Sequence, residues 1–172
     1  MTRTVLIAYG TKNGSTAEIS YAIAEVLREG GFTAQVRPAA LVGDLRPYDA
    51  VVIGGALYMG LWHRDARRFA RRHRRSLTAV PVWLFSSGPL DGSATEKEIP
   101  PVLGVRRLAR RVGARGHATF GGRLEEGAKG RMARRLIKNG QGGDFRDFTQ
   151  IRAWAADITT ELTKNLSSPG TG

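Results

Sequence analysis

The sequence predicts an α/β fold: a three-layer sandwich with one five-stranded parallel sheet, strand order 2-1-3-4-5, and helices on both faces. Three observations predict it. Residues 3–9, 48–55 and 80–87 are short apolar runs with little alternation, the pattern of strands buried on both faces. Other segments place apolar residues at helical spacing. The two kinds of segment alternate along the chain, which makes the strands parallel and puts the helices on the sheet faces. Such a sheet binds ligands at the carboxyl ends of its strands, where the strand order reverses.

Each element follows in order. Residues 3–9 are the first strand. Residues 15–30 are a helix with Ile19, Ala22, Ile23, Val26 and Leu27 on one face and Gly30-Gly31 as a stop. Residues 32–37 alternate, as an edge strand does. Tyr48-Asp49-Ala50-Val51-Val52-Ile53-Gly54-Gly55 is a second buried strand that ends in glycines. Residues 63–75 read as a helix whose buried face is Ala66, Phe69, Ala70 and His73. Residues 80–87 are the third buried strand. Residues 104–112 read as a short helix, 115–122 as a strand, 129–138 as another helix and 148–164 as the last one. Asp147 and Gln150 have capping-box spacing at its start. The organisation expected is one domain over residues 1–165 and a disordered tail at 166–172.

The chain has 172 residues, enough for one domain with a sizeable core. Cysteine is absent, which excludes disulfides, thiolate chemistry and Cys-ligated metals, and no metal site is expected. No apolar run reaches the length of a membrane-spanning helix. Met1-Thr2-Arg3 leads straight into the first strand without a signal-peptide pattern, so the expected location is cytoplasmic. Net charge is +12, and arginine supplies 22 of the 27 basic residues. That balance suits anionic partners: nucleic acid, a membrane surface or an acidic small molecule. A GC-rich genome, which favours arginine codons, explains the excess equally well.

Thr11-Lys12-Asn13-Gly14-Ser15-Thr16 joins the first strand to the first helix. Amides at a helix N-terminus converge on an anion, and the helix dipole favours it. Thr11, Ser15 and Thr16 add hydroxyls, Asn13 an amide, and Gly14 a backbone able to take positive φ. The spacing is neither Gly-x-x-x-x-Gly-Lys-[Ser/Thr] nor Gly-x-Gly-x-x-Gly, which removes the Walker reading and weakens the dinucleotide one. Two readings stand: a cradle for a phosphate monoester, or a turn capped by Ser15 that binds nothing.

Thr11-x-x-Gly14-x-Thr16 after a first strand resembles the FMN phosphate loop of flavodoxins. Residues 48–73 resemble a particular subgroup of flavodoxin-like proteins, the menaquinone-dependent protoporphyrinogen oxidases. The matching pieces are Tyr48-Asp49-x-Val51-Val52-Ile53-Gly54, Tyr58-x-Gly60-x-x-His63 and Phe69-x-x-x-His73. Gly142-Gly143-Asp144 and Asp147-Phe148 also resemble that subgroup. The resemblance covers residues 4 to about 160 and implies a flavodoxin-like fold and FMN as cofactor. Residues 123–130 are polar and glycine-rich, a departure from the more apolar and aromatic insert of those relatives.

A flavin needs an apolar or aromatic slot and donors at its polar edge. Ala56-Leu57-Tyr58-Met59-Gly60-Leu61-Trp62-His63 offers both, with Tyr58 and Trp62 able to stack and Gly60 admitting close backbone. The resemblance implies that this loop touches the ring; alternatively, Trp62 or Leu61 only staples the next helix. Ser86-Ser87-Gly88-Pro89-Leu90 is the third wall, implied to lie along the pyrimidine side, and Asp91 reads as a turn or cap. His63 is the candidate catalytic residue, as a proton shuttle or a partner for a substrate carboxylate. His73 reads as packed against the sheet, and His117, within the fifth strand, receives no role.

Arginines crowd residues 64–75 (Arg64, Arg67, Arg68, Arg71, Arg72, Arg74, Arg75) and residues 106–115 (Arg106, Arg107, Arg110, Arg111, Arg115), and both groups read as solvated helix faces. Residues 129–138 are basic and amphipathic, with Met132, Leu136 and Ile137 opposite Lys129, Arg131, Arg134, Arg135 and Lys138. Such a segment can lie on an anionic membrane at the inner face of the cell. No nucleic-acid motif or aromatic platform accompanies the arginines, which counts against nucleic acid. The function expected is an FMN-dependent oxidoreductase resembling the protoporphyrinogen oxidases, with a quinone or another redox partner as acceptor. The alternatives are an FMN electron carrier without its own substrate and a basic interaction module on the same fold. Homodimerisation stays open.

Overall fold

A computed structural model describes residues 3–12, 14–88, 99–124 and 143–167. Strands β1 (Thr4–Gly10), β2 (Thr33–Pro38), β3 (Ala50–Tyr58), β5 (Val82–Ser87) and β6 (Gly116–Phe120) form the parallel sheet in the order β2-β1-β3-β5-β6. This is the predicted order. Short β4 (Leu61–Trp62) turns back antiparallel on β3, and β7 (Arg123–Leu124) pairs antiparallel with β8 (Gly143–Asp144). The helices are α1 (Ser15–Glu29), α2 (Arg64–Arg72), α3 (Arg74–Thr78), α4 (Leu103–Val112) and α5 (Phe148–Ser167).

Period-two alternation divides the central strands between two cores. Val5, Ile7, Val52, Trp83 and Phe85 face α1 and α5, where they meet Ile19, Ile23, Leu27, Ile151 and Leu162. Leu6, Ala8, Val51, Ile53 and Leu84 face the other way, onto Phe69, Leu77, Val105 and Val112 of α2, α3 and α4. Each large aliphatic or aromatic side chain so buried contributes roughly 1.5–3 kcal/mol. Gly54 and Gly55 make room for rings on opposite faces. A Cβ at Gly54 would lie 2.0 Å from Phe85 Cζ, and one at Gly55 would lie 2.6 Å from the Trp62 ring. Phe85 also meets Phe120 at 5.9 Å in a tilted contact and Trp154 at 6.1 Å edge-to-face, between ring centroids.

The helix ends follow their residues. Gly31 takes φ 93° and the Phe32 amide donates to Leu27 O, closing α1 with a left-handed C-terminal turn. Gly113 does the same for α4 at φ 67°. Asp147 Oδ1 accepts the Gln150 amide at 3.2 Å, the cap expected for α5. The helix expected at 63–75 is two helices. They meet at His73, the C-cap of α2 and N-cap of α3, which is buried with its ring 4.8 Å from Phe69, a packing that periodicity does not encode. The helix expected at 129–138 and the end of the tail, residues 168–172, lie outside the described residues.

Candidate functional site

Register brings three chain segments to one edge of the sheet. Gly10 pairs with Gly55, Gly55 with Ser86, and Ala56 with Ser87, so the chain leaves β1, β3 and β5 side by side. This is the carboxyl edge, at the reversal between β1 and β3.

After β1, Thr11 Oγ1 accepts the Gly14 amide at 3.2 Å, and Gly14 turns with φ 85° to become the N-cap of α1. No side chain caps that helix. Ser15 is its first residue rather than its cap, so the capped-turn alternative is not how α1 starts. The amides of the first turn have no intrahelical carbonyl to bond. Ser15 and Thr16 are buried, and Thr16 Oγ1 has no hydrogen-bond partner. A buried hydroxyl left unsatisfied costs about 1–3 kcal/mol. An anion seated on the helix terminus would accept from it. Lys12 is exposed beside this turn, and Asn13 lies outside the described residues.

After β3, the loop expected at 56–63 is a hairpin. Met59 (φ 52°) and Gly60 (φ 75°) are its two turn residues, with Leu57 opposite Trp62 and Tyr58 opposite Leu61. Positive φ at both turn positions matches the twist of the strands. Ala56 is buried, Leu57 and Tyr58 are half-buried, and Met59 and Leu61 are 80% and 58% exposed. Trp62 does not face outward to stack. It is buried against Gly55, and its indole Nε1–H donates to Ser86 Oγ at 3.0 Å. The missing side chain at Gly55 makes room for the indole, which a Cβ there would meet at 2.6 Å. Of Trp62 and Leu61, Trp62 therefore packs into the core beneath α2, and Leu61 stays at the surface.

After β5, Ser86 Oγ is also 3.0 Å from His117 Nε2, so its hydroxyl is occupied beneath the sheet edge. Ser87 Oγ is buried without a partner. The Gly88 amide donates to Phe120 O at 3.0 Å, and Leu57 leaves no room for a Cβ at Gly88. Pro89, Leu90 and Asp91 lie outside the described residues.

His63 is the N-cap of α2. Its Nδ1 accepts the Asp65 amide at 3.1 Å and would lie 3.0 Å from a Cβ at Gly10. Burial lowers its pKa, Asp65 opposes that, and Arg64, Lys12 and Arg67 lower it further. An accepting Nδ1 assigns the neutral tautomer with the proton on Nε2.

Two groups were not legible beforehand. His117 closes a chain of polar contacts, Trp62–Ser86–His117, that ties β4, β5 and β6 together. Burial pushes His117 down to about 4 from its ordinary 6.5. Over that interval the unfolded chain binds a proton that the folded chain refuses. Stability from this site is therefore full above pH 6.5 and is lost as pH falls toward 4. His117→Asn is expected to shrink the drop in melting temperature between neutral pH and pH 4, and an undiminished drop would show that His117 does not carry it. The second group sits where β7 and β8 meet α1. Arg146, with its side chain 4% exposed, binds Asp144 at 2.8 Å and Glu18 of the first turn of α1, and Arg123 binds Glu18 at 2.9 Å. Glu18 and Asp144 are both held below the usual carboxylate range, in each case chiefly by the hydrogen bond from Arg146.

Comparison with known proteins agrees with this geometry. The family model described as Flavodoxin domain matches residues 6–141. Protoporphyrinogen IX dehydrogenase [quinone] of Escherichia coli (strain K12) is 31% identical over 83 residues, 47% of this chain and 46% of that protein. The Escherichia coli O157:H7 protein of the same name matches equally. The match spans about half the length of these curated relatives. Among solved structures, a cysteine-to-serine mutant of flavodoxin from Pseudomonas aeruginosa superimposes with TM-score 0.63 at 18% identity, over 93% of this chain and 99% of that one. Rubredoxin oxygen:oxidoreductase from Desulfovibrio gigas gives TM-score 0.65 at 14% identity, over 97% of this chain and 38% of that one. With the predicted strand order and an uncapped helix terminus at the strand reversal, the chain belongs to the flavodoxin domain family, and its cofactor is accordingly FMN.

Proposed function

We propose that this chain is an FMN-dependent oxidoreductase that takes electrons from a reduced, carboxylate-bearing substrate of the porphyrinogen type and passes them to a quinone. The observation that carries the FMN site is the buried, unpartnered Thr16 hydroxyl at the uncapped start of α1. FMN, when bound, supplies the two-electron chemistry.

The chain's own residues do the rest. Thr11, Ser15, Thr16 and the first-turn amides hold the phosphate, with Gly14 bending the loop and Lys12 beside it. Ala56, Leu57, Tyr58, Met59 and Gly60 flank the ring, and Trp62 positions that hairpin from below. Ser87 Oγ has hydrogen-bonding capacity to spare for a polar edge, and Gly88 continues that wall. His63 uses Nδ1 to start α2, which leaves Nε2–H to donate to a substrate carboxylate or to carry a proton. The quinone and the porphyrinogen rest on the partial likeness to the dehydrogenase and on a net charge that favours an acidic substrate.

Purified protein is expected to show a flavin spectrum. Protoporphyrinogen should bleach it in stopped flow, and menadione should restore it. A flavin that menadione reoxidises but protoporphyrinogen fails to reduce would remove the substrate and leave an electron carrier.

A further inference from the structure

Among the described residues most of the excess positive charge lies on one side. Residues 64–78 hold seven arginines against Asp65, and residues 103–115 hold five with no acid. The helices of both segments lie on the same sheet face, because α2, α3 and α4 share one core and α3 packs on α4; Arg115, past the end of α4, lies over the Trp83 ring instead, 5.8 Å from its centroid. All twelve arginines are exposed. On α2, Arg64, Arg67, Arg68 and Arg71 recur at helical spacing opposite Ala66, Phe69 and Ala70. Among the described residues the acid paired with this face is Asp65, 3.8 Å from Arg64 Nε. The other face is the reverse. There Glu25 and Glu29 on α1 pair with Arg152 of α5, and Glu18 with Arg146 and Arg123. Like charges three and four residues apart destabilise a helix. Among the described residues Asp65 is the one acid to offset that repulsion on this face, which suits the stripe to an anionic partner.

A second observation separates the classes of anion. Met59, Leu61 and Leu103 are 80%, 58% and 60% exposed. Met59 and Leu61 lie on the β3–β4 hairpin, Leu103 opens α4, and α4 packs on β4, so they gather at the carboxyl-edge rim of the arginine face. A nucleic-acid duplex offers phosphates but no apolar layer for such side chains. A bilayer offers both, with phosphates for the guanidinium forks and an acyl boundary within reach of aliphatic tips.

We propose that the α2–α3–α4 face docks on an anionic lipid bilayer, with the arginines on the headgroups and Met59, Leu61 and Leu103 in the boundary beneath. This assigns membrane contact to described helices rather than to residues 129–138. It also turns the carboxyl edge of the sheet toward the lipid. The surface does not depend on what that edge binds.

The test is co-sedimentation of the full chain with vesicles, scored by protein in the pellet and so blind to flavin content. Binding is expected to phosphatidylcholine vesicles containing about one-third phosphatidylglycerol, and not to phosphatidylcholine alone. It should fall steeply with salt. The quadruple variant Arg67→Glu, Arg71→Glu, Arg106→Glu, Arg110→Glu should bind at least about tenfold less. These arginines have no described partner, so the variant should melt as the parent does; the corresponding glutamine variants give the same reading if it does not. Leu61→Ser with Leu103→Ser should keep binding at low salt and lose what persists at high salt. Equal pelleting with both vesicle types, or undiminished binding by the folded arginine variants, would overturn the proposal. So would displacement from vesicles by a DNA duplex at lower concentration than soluble phosphatidylglycerol.

Discussion

Thr16→Val combined with Ser15→Ala is expected to weaken FMN binding by about a hundredfold or more, from two charge-assisted hydrogen bonds at roughly 1.5–3 kcal/mol each. The same pair of changes should leave the flavin-free protein as stable as before or slightly more so. Thr16 Oγ1 is buried without a partner, and valine keeps its shape while removing the unsatisfied hydroxyl. This opposite response of affinity and stability distinguishes a binding hydroxyl from a structural one. Fluorescence titration with FMN reads the first, and thermal melting without FMN reads the second. Thr16→Ser should restore most of the affinity. Unchanged affinity in the double variant would place the phosphate elsewhere.

Gly54→Ala is expected to cost about 3 kcal/mol or more, on the scale of a large core disruption. The new methyl would sit 2.0 Å from the tip of the Phe85 ring, and Phe85 is itself fully buried. The ring must leave its contacts with Phe120 and Trp154 to make room. Phe85→Leu in the Gly54→Ala background should recover part of the loss, because a shorter side chain clears the methyl. The two changes should therefore combine non-additively in urea denaturation. Simple additivity would mean that the ring and the glycine do not share this space.

The parallel sheet and its helices were legible because burial on both faces leaves a local mark. Val5-Leu6-Ile7-Ala8 and Val51-Val52-Ile53 must be apolar throughout. The arginine stripe of α2 is the complement of Ala66, Phe69 and Ala70, so helix and exposed face are read from one pattern. Gly30-Gly31 marked the end of α1 for a backbone reason, the left-handed turn. The site was legible in part. The residues after β1, β3 and β5 were placed at one edge by fold topology alone. The role of Trp62 was not, because an aromatic residue in a loop reads the same whether it faces a ligand or fills a gap. Its burial depends on Gly55 beneath it and on Ser86 from a strand 24 residues away.

The amino-acid sequence by itself determined the alternation of strand and helix, the glycine-bent turn at the start of α1 and the concentration of arginine in two segments. All of these are properties of neighbours along the chain: periodicity, turn chemistry and charge. Only the tertiary structure decided that Gly14 rather than Ser15 caps α1, that the Thr16 hydroxyl is stranded and the Ser86 hydroxyl taken, and that the arginine-bearing helices share one face. The Glu18–Arg146 pair, 128 residues apart, is of the same kind. Such contacts are set by which strands lie side by side and which rings fill the space between them, and no local pattern in the chain records that.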